Sequence, residues 1–322
     1  MRNITVPIGD LPLRSGALLR DVQQQVTISG SQGAPVALVA HALTGDANPL
    51  TWWQGMCSAG GFLDPARWCI IGINALGSCY GSTGAQSRDF PDIAVADIVE
   101  AQARTLTLVG IDKLALVIGG SLGGMQALQW ALAFPQRAHE AVVIGAHDHA
   151  TASIIALNAL QREALELDER RGLALARKIA MLSYKSDELL AERHERRADR
   201  RQRFRYDVEG YLQYHADALL ERMNPHAYRT LSLAMDSFDV RDFPISGQVP
   251  PVQFVGISSD RLFRAADVHL AAQRLRARGV RTEYSEFRSH HGHDAFLAQA
   301  RELSAFLLRT RARAYAKMAA HR

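Results

Sequence analysis

Short apolar runs alternate with stretches of helical periodicity through most of the chain. The runs lie at residues 36–40 (VALVA), 69–74 (CIIGIN), 114–118 (LALVI), 141–145 (AVVIG) and 252–257 (VQFVGI), and 281–287 reads as a sixth strand. Each is short and bounded by Gly, Pro or Asp, the pattern of buried parallel strands. From about 150 to 241 the pattern changes. That stretch holds no convincing strand and reads as amphipathic helices at 173–182, 187–203, 208–222 and 227–236. The expected fold is therefore α/β: a mostly parallel sheet flanked by helices, with an all-helical insertion. Residues 1–149 and 243–322 would form a discontinuous core. Residues 150–242 would lie over the carboxyl edge of the sheet, where open α/β sheets hold their sites, as a helical lid.

The strand at 114–118 runs into Gly119-Gly120-Ser121-Leu122-Gly123-Gly124 and then directly into the helical MQALQWALAF. This is G-x-S-x-G between a strand and a helix, the nucleophile elbow of the α/β-hydrolase fold. Only small neighbours let strand and helix approach so closely, and the helix N-terminus favours negative charge as it develops. Ser121 is accordingly the expected nucleophile.

A serine hydroxyl needs a base, and the base needs a carboxylate to orient it. The fold orders these as Ser, then acid after a later strand, then His in the last loop. Asp260 follows the strand at 252–257, in SSDRLF, where the plainer role would be a turn or helix cap. His293 lies in SHHGHDAF before a final helix expected at 295–308, with His290 and His291 as competitors. Gly292 permits a tight turn just before His293 and favours it. The two oxyanion donors would be the backbone N–H groups of Leu122 and of Leu43, in the loop HALTGD after the first apolar run.

Composition changes this picture little. The 322 residues are 48% hydrophobic and 22% charged, an ordinary globular balance. The first twenty residues hold no apolar run of signal-peptide length, and no later stretch is long enough to span a bilayer. Three cysteines without a CxxC pair suit a reducing, cytoplasmic setting. Much of the net charge of +4 sits in RHERRADRRQRFR at 193–205, which reads as a solvated helix face and not a nucleic-acid or membrane surface. The histidine clusters at 290–293 and 147–149 lack an H-x-x-x-H helix or a matching carboxylate set, so no metal is expected; His147-Asp148-His149 reads as polar loop.

Several segments in order resemble the homoserine O-acyltransferase family of α/β-hydrolase-fold enzymes: HALTGD (41–46), NALGSCYGSTG (74–84), GGSLGGMQALQWA (119–131), GLALARKIAMLSY (172–184), AYRTLSLAMDSFDV (227–240), SSDRLF (258–263) and GHDAFL (292–297). The resemblance implies a ping-pong transfer in which Ser121 takes an acyl group from acyl-CoA, a co-substrate, and an amino-acid hydroxyl resolves it. It further implies that Arg177 and Tyr184 bind the acceptor's carboxylate, that Asp294 receives its ammonium, and that Thr44 stands beside the oxyanion loop. Acetyl transfer to homoserine, feeding methionine synthesis, is the leading expectation; succinyl transfer, serine as acceptor, or plain ester hydrolysis are its rivals. A homodimer through the lid helices is also implied. The segment from Ser121 to Arg177 is shorter than in many members, which bears on the acyl tunnel and not on the triad.

Overall fold

The computed structural model describes the backbone of residues 1–320 and side chains through Ala312. Among the described residues eight strands form one sheet: β1 (Arg2–Pro12), β2 (Leu18–Gly30), β3 (Val36–Ala40), β4 (Cys69–Ile73), β5 (Leu116–Gly120), β6 (Ala141–Ile144), β7 (Val252–Ile257) and β8 (Thr282–Phe287). Their spatial order is β1-β2-β4-β3-β5-β6-β7-β8. The six strands from β4 to β8 run parallel, while β1 on β2 and β2 on β4 are antiparallel.

Alternation along each strand divides the core between the two faces. Leu38, Ile71, Val117, Val143 and Phe254 point to one side, where they meet helices α2 (Val95–Leu108), α3 (Leu122–Ala133) and α9 (Ala265–Ala277). Val39, Ile70, Ile118, Val142 and Val255 point to the other. They are covered by Trp53, Met56 and Leu63, which follow the short α1 (Pro49–Trp52), and by Phe296, Leu303 and Leu307 of α10 (Ala295–Ala298) and α11 (Ala300–Ala320). Each such side chain, buried, contributes about 1.5–3 kcal/mol, so each face anchors the sheet independently.

Between β6 and β7 lie five helices and no strand of the sheet: α4 (Ala152–Leu167), α5 (Glu169–Tyr184), α6 (Asp187–Arg193), α7 (Asp207–Leu220) and α8 (Pro225–Asp236). Their starts are written in the sequence. Thr151, Asp168, Ser186 and Asn224 each accept a hydrogen bond from a first-turn N–H, and Pro225 opens α8. No helix among the described residues is long and apolar enough to cross a membrane.

Four expectations are corrected. The β1–β2 ribbon lies where the sequence pattern predicts no strand. In β2 the buried positions Val22, Gln24 and Val26 alternate properly, but a buried glutamine in the run QQQ hides the period. Strand β5 ends at Gly120, not Ile118, because the glycines that read as turn belong to the strand. The helix expected over 187–203 stops at Arg193. Glu195 and Gln202 take positive φ, and the Asp199 carboxylate accepts from the N–H groups of Arg201, Arg203 and Phe204. The basic run is thus an exposed loop, not a helix face. Finally, the helix expected over 295–308 is broken at Gln299, and its second part runs on to Ala320.

Candidate active site

Ser121 occupies the turn between β5 and α3 with φ 58° and ψ −126°. A left-handed φ at a non-glycine residue costs about 1–3 kcal/mol and persists only where the surroundings enforce it. Here they do. Ser121 N–H donates to the Ile144 carbonyl (2.9 Å), and its own carbonyl accepts from Met125 N–H (3.0 Å). Close packing needs the glycines: a Cβ on Gly123 would stand 2.1 Å from the Ala40 oxygen, and one on Gly119 2.4 Å from the Gly123 backbone. Among the described residues neither Leu122 N–H nor Leu43 N–H donates to a protein acceptor, so both expected oxyanion donors are free.

The loop that carries Leu43 is held from beneath by His41, a role the sequence does not announce. His41 is fully buried; its Nδ1 bonds the Ala42 carbonyl (2.8 Å), and its Nε2 accepts from Ala75 N–H (2.8 Å). Burial lowers its pKa and keeps the ring neutral, as this donor–acceptor pattern requires. Gln126 Nε2 donates to the His41 carbonyl (3.1 Å), Gln102 Nε2 donates to Gln126 Oε1 (2.8 Å), and Trp130 Nε1 to Gln102 Oε1 (2.8 Å). This buried chain ties the loop that carries Leu43 to α3, the helix that starts directly after Ser121. From the other side Arg222 donates to the Thr44 carbonyl and to the Tyr80 hydroxyl (3.0 Å).

Asp260 and His293 form a buried pair, with His293 Nδ1 2.6 Å from Asp260 Oδ2. The other carboxylate oxygen accepts from Leu262 N–H and Phe263 N–H, both at 2.8 Å, so the plainer turn role and the orienting role are filled by one side chain. Phe263 stacks on the imidazole at 5.1 Å, with Tyr184 at 5.4 Å and Phe296 at 5.5 Å. The remaining nitrogen, Nε2, is buried and has no hydrogen-bond partner among the described residues. Gly145, which follows the Ile144 that bonds Ser121, has its Cβ position 3.4 Å from His293 Cε1. Serine and histidine therefore meet adjacent residues at the end of β6, without sharing a hydrogen bond. Of the competing histidines, His290 is exposed, with its Nε2 3.5 Å from Glu192, and His291 packs against it, 4.7 Å between ring centres.

The end of α5 closes on this loop. A Cβ on Gly292 would meet the Tyr184 carbonyl at 2.4 Å and Ser186 N at 2.8 Å, and Ser186 Oγ donates to the His290 carbonyl. Arg177 lies 6.0 Å from the Tyr184 ring, with its Nε buried and unpartnered among the described residues. Burial pushes the Tyr184 hydroxyl up to about 12 and the Tyr211 hydroxyl likewise to about 12, so both keep their protons at neutral pH. His215, T-stacked on Tyr211, is driven down to about 4 by burial and by the nearby Arg177 and Lys185 cations. The structure thus brings Arg177, Tyr184 and Asp294 near one another. It adds Lys185, Tyr211 and His215, whose helical spacing signals nothing.

In the His147-Asp148-His149 loop the candidate ligand atoms lie within 4.8 Å of one another. Both Asp148 oxygens, however, are bound by Arg274 at 2.7 Å, and His149 Nδ1 takes one of them as well (2.9 Å). A guanidinium fork already fills the place a cation would take.

A family model for the alpha/beta hydrolase fold matches residues 35–299. A homoserine O-acetyltransferase of Geobacter sulfurreducens is 34% identical over 335 residues, covering 90% of this chain and 91% of the relative. One from Symbiobacterium thermophilum is 36% identical over 343 residues, covering 91% and 90%. Among solved structures, a homoserine O-acetyltransferase from Staphylococcus aureus superposes with a TM-score of 0.81 at 26% identity over 95% of each chain. An acetylester hydrolase from Corynebacterium glutamicum gives the same TM-score at 22% identity over 95% of each chain, a likeness of fold alone.

Proposed function

Because the chain belongs to the homoserine O-acetyltransferase family, within the α/β-hydrolase fold, we propose that it moves an acetyl group from acetyl-CoA to the side-chain hydroxyl of homoserine through an acyl-serine. The observation that carries the mechanism is the 2.6 Å Asp260–His293 pair with Nε2 left unpartnered, at the end of the strand whose Ile144 carbonyl holds the strained Ser121. Asp260 fixes the imidazole with its proton on Nδ1, so Nε2 is the base. Ser121 Oγ attacks the thioester carbonyl as its proton passes to Nε2. The oxyanion is met by Leu43 N–H and Leu122 N–H. Collapse breaks the C–S bond, and the imidazolium protonates the departing thiolate. In the second half the acceptor hydroxyl gives its proton to Nε2 and attacks the acyl-serine, and Ser121 leaves with the proton returned.

What favours an amino-acid acceptor over water is the pocket around Arg177. A guanidinium with a buried, unpartnered Nε suits a carboxylate, and Tyr184 adds a neutral hydroxyl. Asp294 takes the ammonium. The helices α4 to α8 act as the lid, and Arg222 links them to the oxyanion loop at Thr44. A homodimer fits the same block, since Leu160, Leu167, Leu175, Leu182 and Tyr214 on α4, α5 and α7 are exposed.

The test is release of CoA by purified protein given acetyl- or succinyl-CoA, with homoserine, serine or no acceptor. Homoserine-dependent release from acetyl-CoA is expected. Equal release with and without acceptor would make the chain a hydrolase, and faster reaction of serine with succinyl-CoA would reassign both substrates. Ser121→Ala should abolish the acyl mass adduct.

A further inference from the structure

Asp294 is already occupied. Lys185 Nζ lies 2.7 Å from its Oδ2, and the lysine side chain is only 9% exposed. The Asp294 charge is felt at Tyr184, Tyr211 and His215. The cations felt there are Arg177, Lys185 and Arg193. A zwitterionic acceptor that bound its carboxylate to Arg177 and its ammonium to Asp294 would leave a second ammonium, that of Lys185, on the same carboxylate. Two ammonium groups at contact distance from one carboxylate repel each other, and in a half-buried pocket water screens them poorly.

We propose that Lys185 is a specificity-determining residue that stands in for the acceptor's α-ammonium, neutralising Asp294 in the free enzyme and yielding it when an α-amino acceptor binds. The assignment rests on the acyl transfer to homoserine proposed above. Its position fits the role. Lys185 follows directly on Tyr184 at the end of α5, where the backbone is seated against Gly292, so its Cα is held beside the turn that carries Asp294 while its flexible stem can swing the ammonium off the carboxylate. The arrangement acts as a built-in competitor: it weakens binding of acceptors that bring an amine and leaves acceptors that lack one unaffected.

The experiment compares homoserine with 4-hydroxybutanoate, which has the same hydroxyl and carboxylate but no amine, at saturating acetyl-CoA. In K185M the KM for homoserine should fall roughly tenfold with kcat within about twofold, as expected for loss of a competing charge. The KM for 4-hydroxybutanoate should not fall. K185R should behave as the unsubstituted enzyme, and K185Q, which still donates a hydrogen bond to Asp294, should follow K185M even if K185M does not fold. Homoserine alone should also raise the melting temperature of K185M or K185Q more than that of the unsubstituted enzyme. An unchanged or higher KM for homoserine in both variants would overturn the role of Lys185, as would an equal fall for both acceptors. Acyl-adduct formation on Ser121 from acetyl-CoA alone is the control. Its absence in the unsubstituted enzyme defeats acyl transfer itself, whereas its presence with unmoved KM values defeats only Lys185.

Discussion

The backbone N–H of Ala75 donates to Nε2 of His41 at 2.8 Å, which obliges the histidine to carry its proton on Nδ1 and to give it to the Ala42 carbonyl. One neutral ring therefore pins both the oxyanion loop and the loop after β4. Neither task involves proton transfer to substrate. His41→Ala should lower the rate of Ser121 acylation roughly 100-fold by displacing one oxyanion donor. Stopped-flow CoA release measures it, and an acylation rate within about threefold of the unsubstituted enzyme would show that the loop holds its place without the ring.

Asp260→Asn keeps an oxygen for the N–H groups of Leu262 and Phe263 but offers the imidazole an ambiguous partner. The expected result is a fall in kcat of about 10³–10⁴-fold with little change in melting temperature, as for a misassigned tautomer. Circular dichroism separates the two effects.

A methyl group on Gly123 would overlap the Ala40 carbonyl, with its carbon 2.1 Å away. The oxygen belongs to a central strand and cannot yield. Gly123→Ala should destabilise the fold by about 3 kcal/mol, the upper range for overpacking, read from urea midpoints. A midpoint unchanged from the unsubstituted enzyme would contradict the close approach of α3 to β3.

Four histidines, His41, His147, His215 and His291, have pKa values below the ordinary 6.5, chiefly through burial; for His215 the value is about 4. Each is neutral when folded and takes up a proton more readily when unfolded. Their contribution is therefore complete above about pH 6.5 and declines as pH falls from there toward the folded values. The melting temperature should drop between about pH 6.5 and about 4, and His215→Gln should make the drop shallower. Thermal scans across that range measure it; an equal slope in the variant would remove His215 from the account.

The parallel strands and the elbow are legible because burial on both faces and close strand–helix contact leave few residue choices: VALVA at 36–40 and GGSLGG at 119–124 admit little else. Asp260 and His293 can be located because chain order fixes where acid and base stand. The N-terminal ribbon escapes because Gln24, a polar residue, sits at a buried position. The basic run at 193–205 reads as helix because its break depends on Asp199 gathering three backbone N–H groups, a contact that no periodicity announces. Lys185 and His41 escape for a related reason. Their importance comes from residues 109 and 34 positions away along the chain.

The seat of residues 184–186 on Gly292 carries a consequence for how such a site can diverge. The segment bearing Tyr184 and Lys185 rests on the turn bearing His293 with no room for a single added carbon. If α5 binds the acceptor as proposed, its pocket and His293 are inherited as one piece, and remodelling one drags the other out of register.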